Sequence, residues 1–109
     1  MLTVKTWCLP ADLTEEQLQE LHNAIVCAVT SVPETRVSSE NDMLNLFPED
    51  KMRYGLGTEI LVEITGCTCS HPARMKLMQA VGKVVKSLFP QAHVTCTATS
   101  IEFFGSWSS

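Results

Sequence analysis

The stretch of the sequence richest in reactive side chains is C-T-C-S-H at residues 67–71. Cys67, Cys69 and His71 place two thiols and an imidazole close together in the chain. Sulfur and imidazole are ligands that zinc and copper accept, and a nearby helix N-terminus lowers the pKa of a thiol. A zinc centre needs about four ligands, usually with C-x₂-C spacing, so this set is incomplete. We therefore expect no metal and no cofactor, and keep a Cys/His metal or redox site as an alternative to small buried cysteines.

A second group of chemically active side chains lies in the run T-E-I-L-V-E-I-T at residues 58–65. Its β-rich, alternating pattern predicts a strand. Side chains alternate between the two faces of a strand, so Glu59, Leu61 and Glu63 should share one face. Val62 and Ile64 should point the other way. A carboxylate on this face is a candidate for proton transfer, and a solvated strand face or an ion pair between subunits is the alternative.

The composition of the chain limits the partners that we expect. The chain has 109 residues, 45% of them hydrophobic, and carries a formal net charge of −4. This is the size of one domain, whose small core makes an oligomer a reasonable expectation. The acidic balance predicts no nucleic-acid or anionic-membrane partner, since such binding rests on clustered Lys and Arg. We expect no membrane span and no secretory signal, and the odd number of cysteines predicts free thiols in a cytoplasmic protein.

The elements that must position these residues form two similar halves. In the first, residues 2–8 predict a strand, and a capping box at Thr14 predicts the start of a helix that ends before Pro33. A weak second strand is predicted at Thr35–Ser39. In the second half, the strand 58–65 is followed by a helix from about Pro72, with Met75 on its buried face. A last strand is predicted over residues 93–104.

This order predicts a single α+β domain over residues 1–109. We divide it into a first half at 1–39, an insertion at 40–57 and a second half at 58–109. Two β-α-β units of right-handed crossover give a four-stranded mixed sheet with both helices on one face. A shift of 59 positions aligns the apolar patterns, placing Leu18 on Leu77, although two unrelated units built alike would also match. The uncovered sheet face of so short a chain favours assembly.

The layout resembles the tautomerase superfamily, in particular the long-chain branch of macrophage migration inhibitory factor and 5-carboxymethyl-2-hydroxymuconate isomerase. The resemblance covers nearly the whole chain. Two short segments support the resemblance. Residues 30–33, T-S-V-P, are similar to that branch's T-G-K-P, and residues 64–66, I-T-G, are similar to its S-I-G. The resemblance implies a homotrimer whose sheets line a central channel, with sites between subunits that act on small anionic keto-enol compounds.

The sequence departs from that family at two catalytic positions. The family's base is an N-terminal proline, whereas residue 1 here is Met1, which the bulky Leu2 should protect from removal. The family's basic residue in T-G-K-P is Val32. If the chain is catalytic, the α-amine of Met1 and the carboxylate of Glu63 are the candidates to replace the missing base.

By the same resemblance, Arg36, Arg53 and Lys5 are candidates to bind an anionic ligand, with Tyr54 beside Arg53, although ordinary surface charge would also explain them. We expect a tautomerase-like, isomerase-type protein of unknown activity, without standard proline-dependent catalysis. Such a protein would bind a small anionic molecule between its subunits. A non-catalytic oligomeric interaction module is the alternative.

Overall fold

The computed structural model describes residues 1–49 and 58–99. Six regular elements follow one another along the described chain: strand β1, helix α1, strands β2 and β3, helix α2 and strand β4. Their bounds are Leu2–Trp7, Glu15–Thr30, Met43–Leu46, Glu59–Thr65, His71–Leu88 and His93–Ala98. Two 3₁₀ turns, Pro33–Thr35 and Glu40–Asp42, connect α1 to β2.

The four strands form one mixed sheet in the order β2-β1-β3-β4. β1 is parallel to β2, and β3 is parallel to β4. The two central strands are antiparallel, with Thr3 opposite Thr65 and Lys5 opposite Glu63. Each half is therefore a strand, a helix and a parallel strand, and the halves meet at the β1–β3 pair. The predicted α+β class, the four-stranded mixed sheet and the β-α-β units are confirmed.

Both helices pack on one face of the sheet, as predicted. The buried stripe of α1 contains Leu21, Ile25 and Val29, and that of α2 contains Leu77, Val81 and Val85. These side chains meet the inward residues of the sheet, among them Val4, Val62 and Ile64, which are 0–1% exposed. The large aliphatic side chains of the two stripes have the same spacing, and in each helix the first of them is the seventh residue. The structure therefore matches Leu21, and not Leu18, with Leu77, which corrects the shift of 59 positions.

The predicted strand at Thr35–Ser39 is wrong. Pro33 begins a 3₁₀ turn, and Arg36 ends it in the left-handed conformation with φ of 60°, which no strand accommodates. The strand that pairs with β1 is Met43–Leu46, inside the segment that we expected to be an insertion. Its four residues give too short an alternation to stand out in the sequence.

Two further expectations concern the second half. Met75 is 41% exposed instead of buried, because the buried stripe of α2 recurs every four residues from Ala73 and leaves Met75 on the other side. The last strand is observed at His93–Ala98, and the remainder of the predicted 93–104 segment lies outside the described residues. Neither helix in the described part of the chain is long and apolar enough to cross a membrane.

Helix α1 begins with a capping box formed by Thr14 and Gln17. The hydroxyl of Thr14 accepts from the Gln17 backbone N–H at 3.1 Å, and the Thr14 backbone N–H donates to Gln17 Oε1 at 2.9 Å. Because Thr14→Ala removes the acceptor for a helix-end donor, we expect it to lower the free energy of unfolding by about 1 kcal/mol in urea denaturation. Gln19→Ala, which loses only an exposed bond to Asn23, should cost less than about 0.5 kcal/mol. Equal effects would contradict the assignment of the cap.

Candidate functional site

The backbone carbonyl of residue 1 lies close against the end of β3. The antiparallel register of β1 and β3 ends at the Thr3–Thr65 pair, and just beyond it the backbone of Met1 lies beside Gly66. Gly66 has φ of 83°, and a Cβ atom there would lie 2.9 Å from the carbonyl carbon of Met1 and 3.2 Å from the Cα of Leu2. It would lie closer still to the carbonyl oxygen of Met1. Only glycine fits, for both conformational and steric reasons.

The topology collects several loops at the end of the sheet where β1 starts, which we call the Met1 end. β1 and β2 begin there, β3 and β4 end there, α1 ends there and α2 begins there. Met1, which is 81% exposed, therefore shares this end with the turn at Arg36 and with the segment 67–71. Of the residues predicted for the site, these are the ones that the fold brings to one end.

Cys67 and Cys69 are joined by a disulfide. This corrects our expectation that all the cysteines are free thiols; in the described chain, Cys27 and Cys96 are free. Cys67 is buried in the core, while Cys69 is half-buried and His71 is exposed as the first residue of α2. The disulfide leaves no thiolate for a metal. Among residues 1–49 and 58–99, no group of three or more His, Cys, Asp or Glu side chains is arranged to hold one.

The Met1 end carries basic side chains from α2 and from the turn at Arg36, together with the acidic residues Glu34, Glu40 and Asp42. Arg74 Nη1 donates to the backbone oxygen of Cys69 at 2.9 Å, and Lys76 Nζ lies 3.7 Å from Glu34 Oε1. The first turn of α2 holds no acidic residue. Arg36 is exposed, and within the described chain it makes no ion pair. An anion would meet little acidic charge in the first turn of α2 and a helix N-terminus that favours negative charge.

The loop that carries Arg36 is fixed by one carboxylate. Asp42 accepts from the hydroxyl and the backbone N–H of Ser38, at 2.7 and 3.0 Å, and from the Ser39 N–H at 3.3 Å. These bonds, led by the Ser38 hydroxyl, lower the pKa of the Asp42 carboxyl. The ionised carboxylate therefore holds the turn at neutral pH and loses this role as the pH falls into the range where it is protonated.

The other predicted residues lie elsewhere. Glu63 is on the uncovered sheet face opposite Lys5, so the Thr3–Thr65 pair separates it from the Met1 end. On the same face, His93 Nδ1 lies 2.8 Å from Glu59 Oε2. Arg53 and Tyr54 lie outside the described residues.

Sequence reasoning missed a cleft at the opposite end of the sheet. It encloses about 370 Å³ and is lined mainly by apolar side chains, including Ile60, Leu88, Phe89 and Pro90. Among the described residues, none of those that line it is charged. Its parts come from three separate elements, and no local pattern signals it.

Cys96 gives a pH-dependent prediction. It lies on the helix-covered side of β4, and burial raises the pKa of its thiol to about 11. An unfolded chain releases this proton near pH 9, whereas the folded chain retains it, so folding should weaken as the pH rises through this interval. We expect chemical denaturation of Cys96→Ala to show a smaller loss of stability between pH 8.5 and about 10.5 than the unchanged chain. An identical pH slope in both proteins would contradict the burial of this thiol.

Comparisons with known proteins bear on the fold. No protein-family model matches the sequence, and no curated protein matches it significantly. Solved structures do match. A fused 4-OT wild-type asymmetric trimer has a TM-score of 0.70 at 14% identity, covering 95% of this chain and 91% of that one. Malonate semialdehyde decarboxylase has a TM-score of 0.63 at 16% sequence identity, and the match covers 97% of this chain and 91% of that one. Pt0534 inactivated by 2-oxo-3-pentynoate has a TM-score of 0.69 at 12% identity, and the match covers 92% of this chain and 84% of that one.

These are structures of the tautomerase superfamily. The chain has the tautomerase fold. At these identities the likeness establishes the architecture alone, because one fold hosts many functions. The tautomerase fold nevertheless accounts for the β2-β1-β3-β4 order and for helices restricted to one face.

Proposed function

We propose that the protein is a tautomerase-like homotrimer that binds a small anionic molecule between subunits at the Met1 end. We further propose that it lacks standard proline-dependent catalysis. The observation that carries this is the residue at the head of β1. By the resemblance, Met1 takes the position of the family's catalytic proline, and its backbone carbonyl lies against Gly66 at the end of β3.

The second departure from the family supports the same conclusion. Val32 occupies the position of the family's basic residue in T-G-K-P, and it is only 4% exposed. It belongs to the hydrophobic core and is therefore withdrawn from any ligand. A secondary amine and a basic side chain are thus both missing from the places where the family's chemistry requires them.

Two guanidinium groups at the Met1 end support an anionic ligand. Arg36 is exposed on a turn braced by Asp42, and Arg74 lies in the first turn of α2, where no acidic residue competes. Guanidinium groups suit carboxylates because they offer a planar fork of donors. Pt0534 is inactivated by 2-oxo-3-pentynoate, a small carboxylated keto compound. A ligand of this chemical class fits the basic groups on this chain.

The trimer is supported by the uncovered face of the sheet. Leu44, Leu46 and Leu61 are 45%, 37% and 36% exposed, and in the described chain no helix covers this face. Exposed apolar residues grouped on one face are typical of an interaction surface. The similar fused 4-OT is described as a trimer. The same leucines favour the second candidate, a non-catalytic oligomeric interaction module that binds no small molecule.

The test uses phenylpyruvate, a carboxylated keto-enol compound. We expect its tautomerisation to proceed no faster than in buffer, while calorimetric titration detects binding. Arg36→Gln should weaken that binding by about tenfold or more, since hydrogen bonds to charged groups contribute about 1.5–3 kcal/mol. Lys83→Gln, in the middle of α2, is the control and should leave binding unchanged. A rate well above buffer would contradict the missing catalysis, and a trimer that binds no phenylpyruvate would favour the interaction module.

A further inference from the structure

We propose that the Cys67–Cys69 pair is a thiol–disulfide exchange site whose substrate is a small thiol of the glutathione class. This goes beyond the proposed function and does not depend on it. The pair is a C-x-C unit with its Cα atoms 5.4 Å apart, within the usual range for disulfides. It lies in the loop between β3 and α2, directly after Gly66, which contacts the backbone of Met1.

The shortness of the bridge argues for exchange over a structural role. A disulfide stabilises a fold mainly by restricting the unfolded chain, and this effect grows with the length of the loop that it closes. Cys67 and Cys69 are separated by a single residue, so the bond restricts almost nothing. The core around Cys67 contains residues of both helices and of the sheet.

The two cysteines differ in solvent exposure, so one of them is the expected point of attack. Cys67 is 2% exposed, whereas Cys69 is half-buried, so an incoming thiolate should reach Cys69. The surroundings favour thiolates. Ser70 is the N-cap of α2, whose first turn holds no acidic residue, and Arg74 donates to the Cys69 carbonyl. Positive groups and a helix N-terminus both lower thiol pKa values.

A small thiolate attacks Cys69 Sγ, the bond between the two cysteines breaks, and Cys67 leaves as a thiolate that takes a proton from water. A second small thiolate attacks the small-molecule sulfur of the mixed disulfide on Cys69. This attack releases Cys69 as a thiolate and forms an oxidised small-molecule disulfide. In total, two small thiols are oxidised and the protein pair gains two electrons and two protons.

The test equilibrates the full chain in buffers of varied reduced-to-oxidised glutathione ratio. Thiols are trapped by alkylation, and the peptide spanning Cys67 and Cys69 is analysed by mass spectrometry. We expect the pair to convert from disulfide to dithiol within the range of these buffers, with transient glutathione on Cys69 and none on Cys67. Cys27→Ser, which removes an exposed free thiol on α1, should leave this conversion unchanged.

Two results would overturn the proposal. The pair could remain a disulfide, or remain a dithiol, at every glutathione ratio, which would show that it does not exchange. Alternatively, glutathione could attach to Cys67 as readily as to Cys69, which would contradict the role of burial. The experiment uses neither a keto acid nor the assembled state as its readout, so its outcome is independent of the phenylpyruvate test.

Discussion

Gly66→Ala is expected to lower the free energy of unfolding by about 3 kcal/mol and the melting temperature by about 15 °C. Two costs add. A side chain at φ of 83° is strained by about 1–2 kcal/mol, and the new Cβ meets the carbonyl of Met1, which is backbone and cannot rotate aside. To relieve this clash, Met1 and the start of β1 must move, so the change should also weaken phenylpyruvate binding.

Gly82→Ala is the matched control. Gly82 lies within α2, and a Cβ there would be 3.5 Å from Cys96 Cβ, an ordinary contact. Alanine is the better helix former, so this change should stabilise the protein by about 0.5–1 kcal/mol. Thermal unfolding of the two variants should therefore give shifts of opposite sign. A Gly66→Ala protein that melts with the unchanged chain would show that Met1 does not pack there.

Leu61→Asp is expected to separate the proposed trimer into monomers without unfolding them. Leu61 lies at the centre of β3 on the uncovered face, between Glu59 and Glu63, and is 36% exposed in the single chain. The aspartate would be solvated in a monomer. In an interface it would be a buried, unpaired charge beside two other carboxylates, which costs several kcal/mol.

Met75→Asp is the control for that change. Met75 is 41% exposed on the helix side of the domain, away from the uncovered face, so a charge there should leave the assembly intact. The two variants would be compared by sedimentation. Loss of assembly in both, or in neither, would contradict the placement of the interface on the sheet.

Much of the fold was predictable because it depends on local patterns. The alternation in 58–65 predicted which β3 residues face the core, and the T-E-E-Q capping box predicted where α1 starts. β2 was missed because its four residues gain their strand character from pairing with Leu2–Lys5, which is a tertiary effect. Arg36 stands in a β-rich stretch, yet Pro33 begins a turn that places it in the left-handed conformation.

The site was less predictable because its geometry depends on distant parts of the chain. Gly66 was noticed only as part of a short I-T-G echo, while its steric role requires Met1, which reaches it through the antiparallel register. The Cys67–Cys69 bond was not expected because the odd cysteine count favoured free thiols. Arg74 and Lys76 were not among the predicted site residues, and only the fold brings them to the Met1 end.

If the chain assembles as a trimer with its site between subunits, light scattering during size-exclusion chromatography will give the mass of that trimer. The chain has a mass of 12.0 kDa. We expect a single species of about 36 kDa that persists on dilution to micromolar concentration, because an assembly of this kind buries an apolar face. A species of 12.0 kDa at all concentrations would contradict both the trimer and a site formed between its subunits.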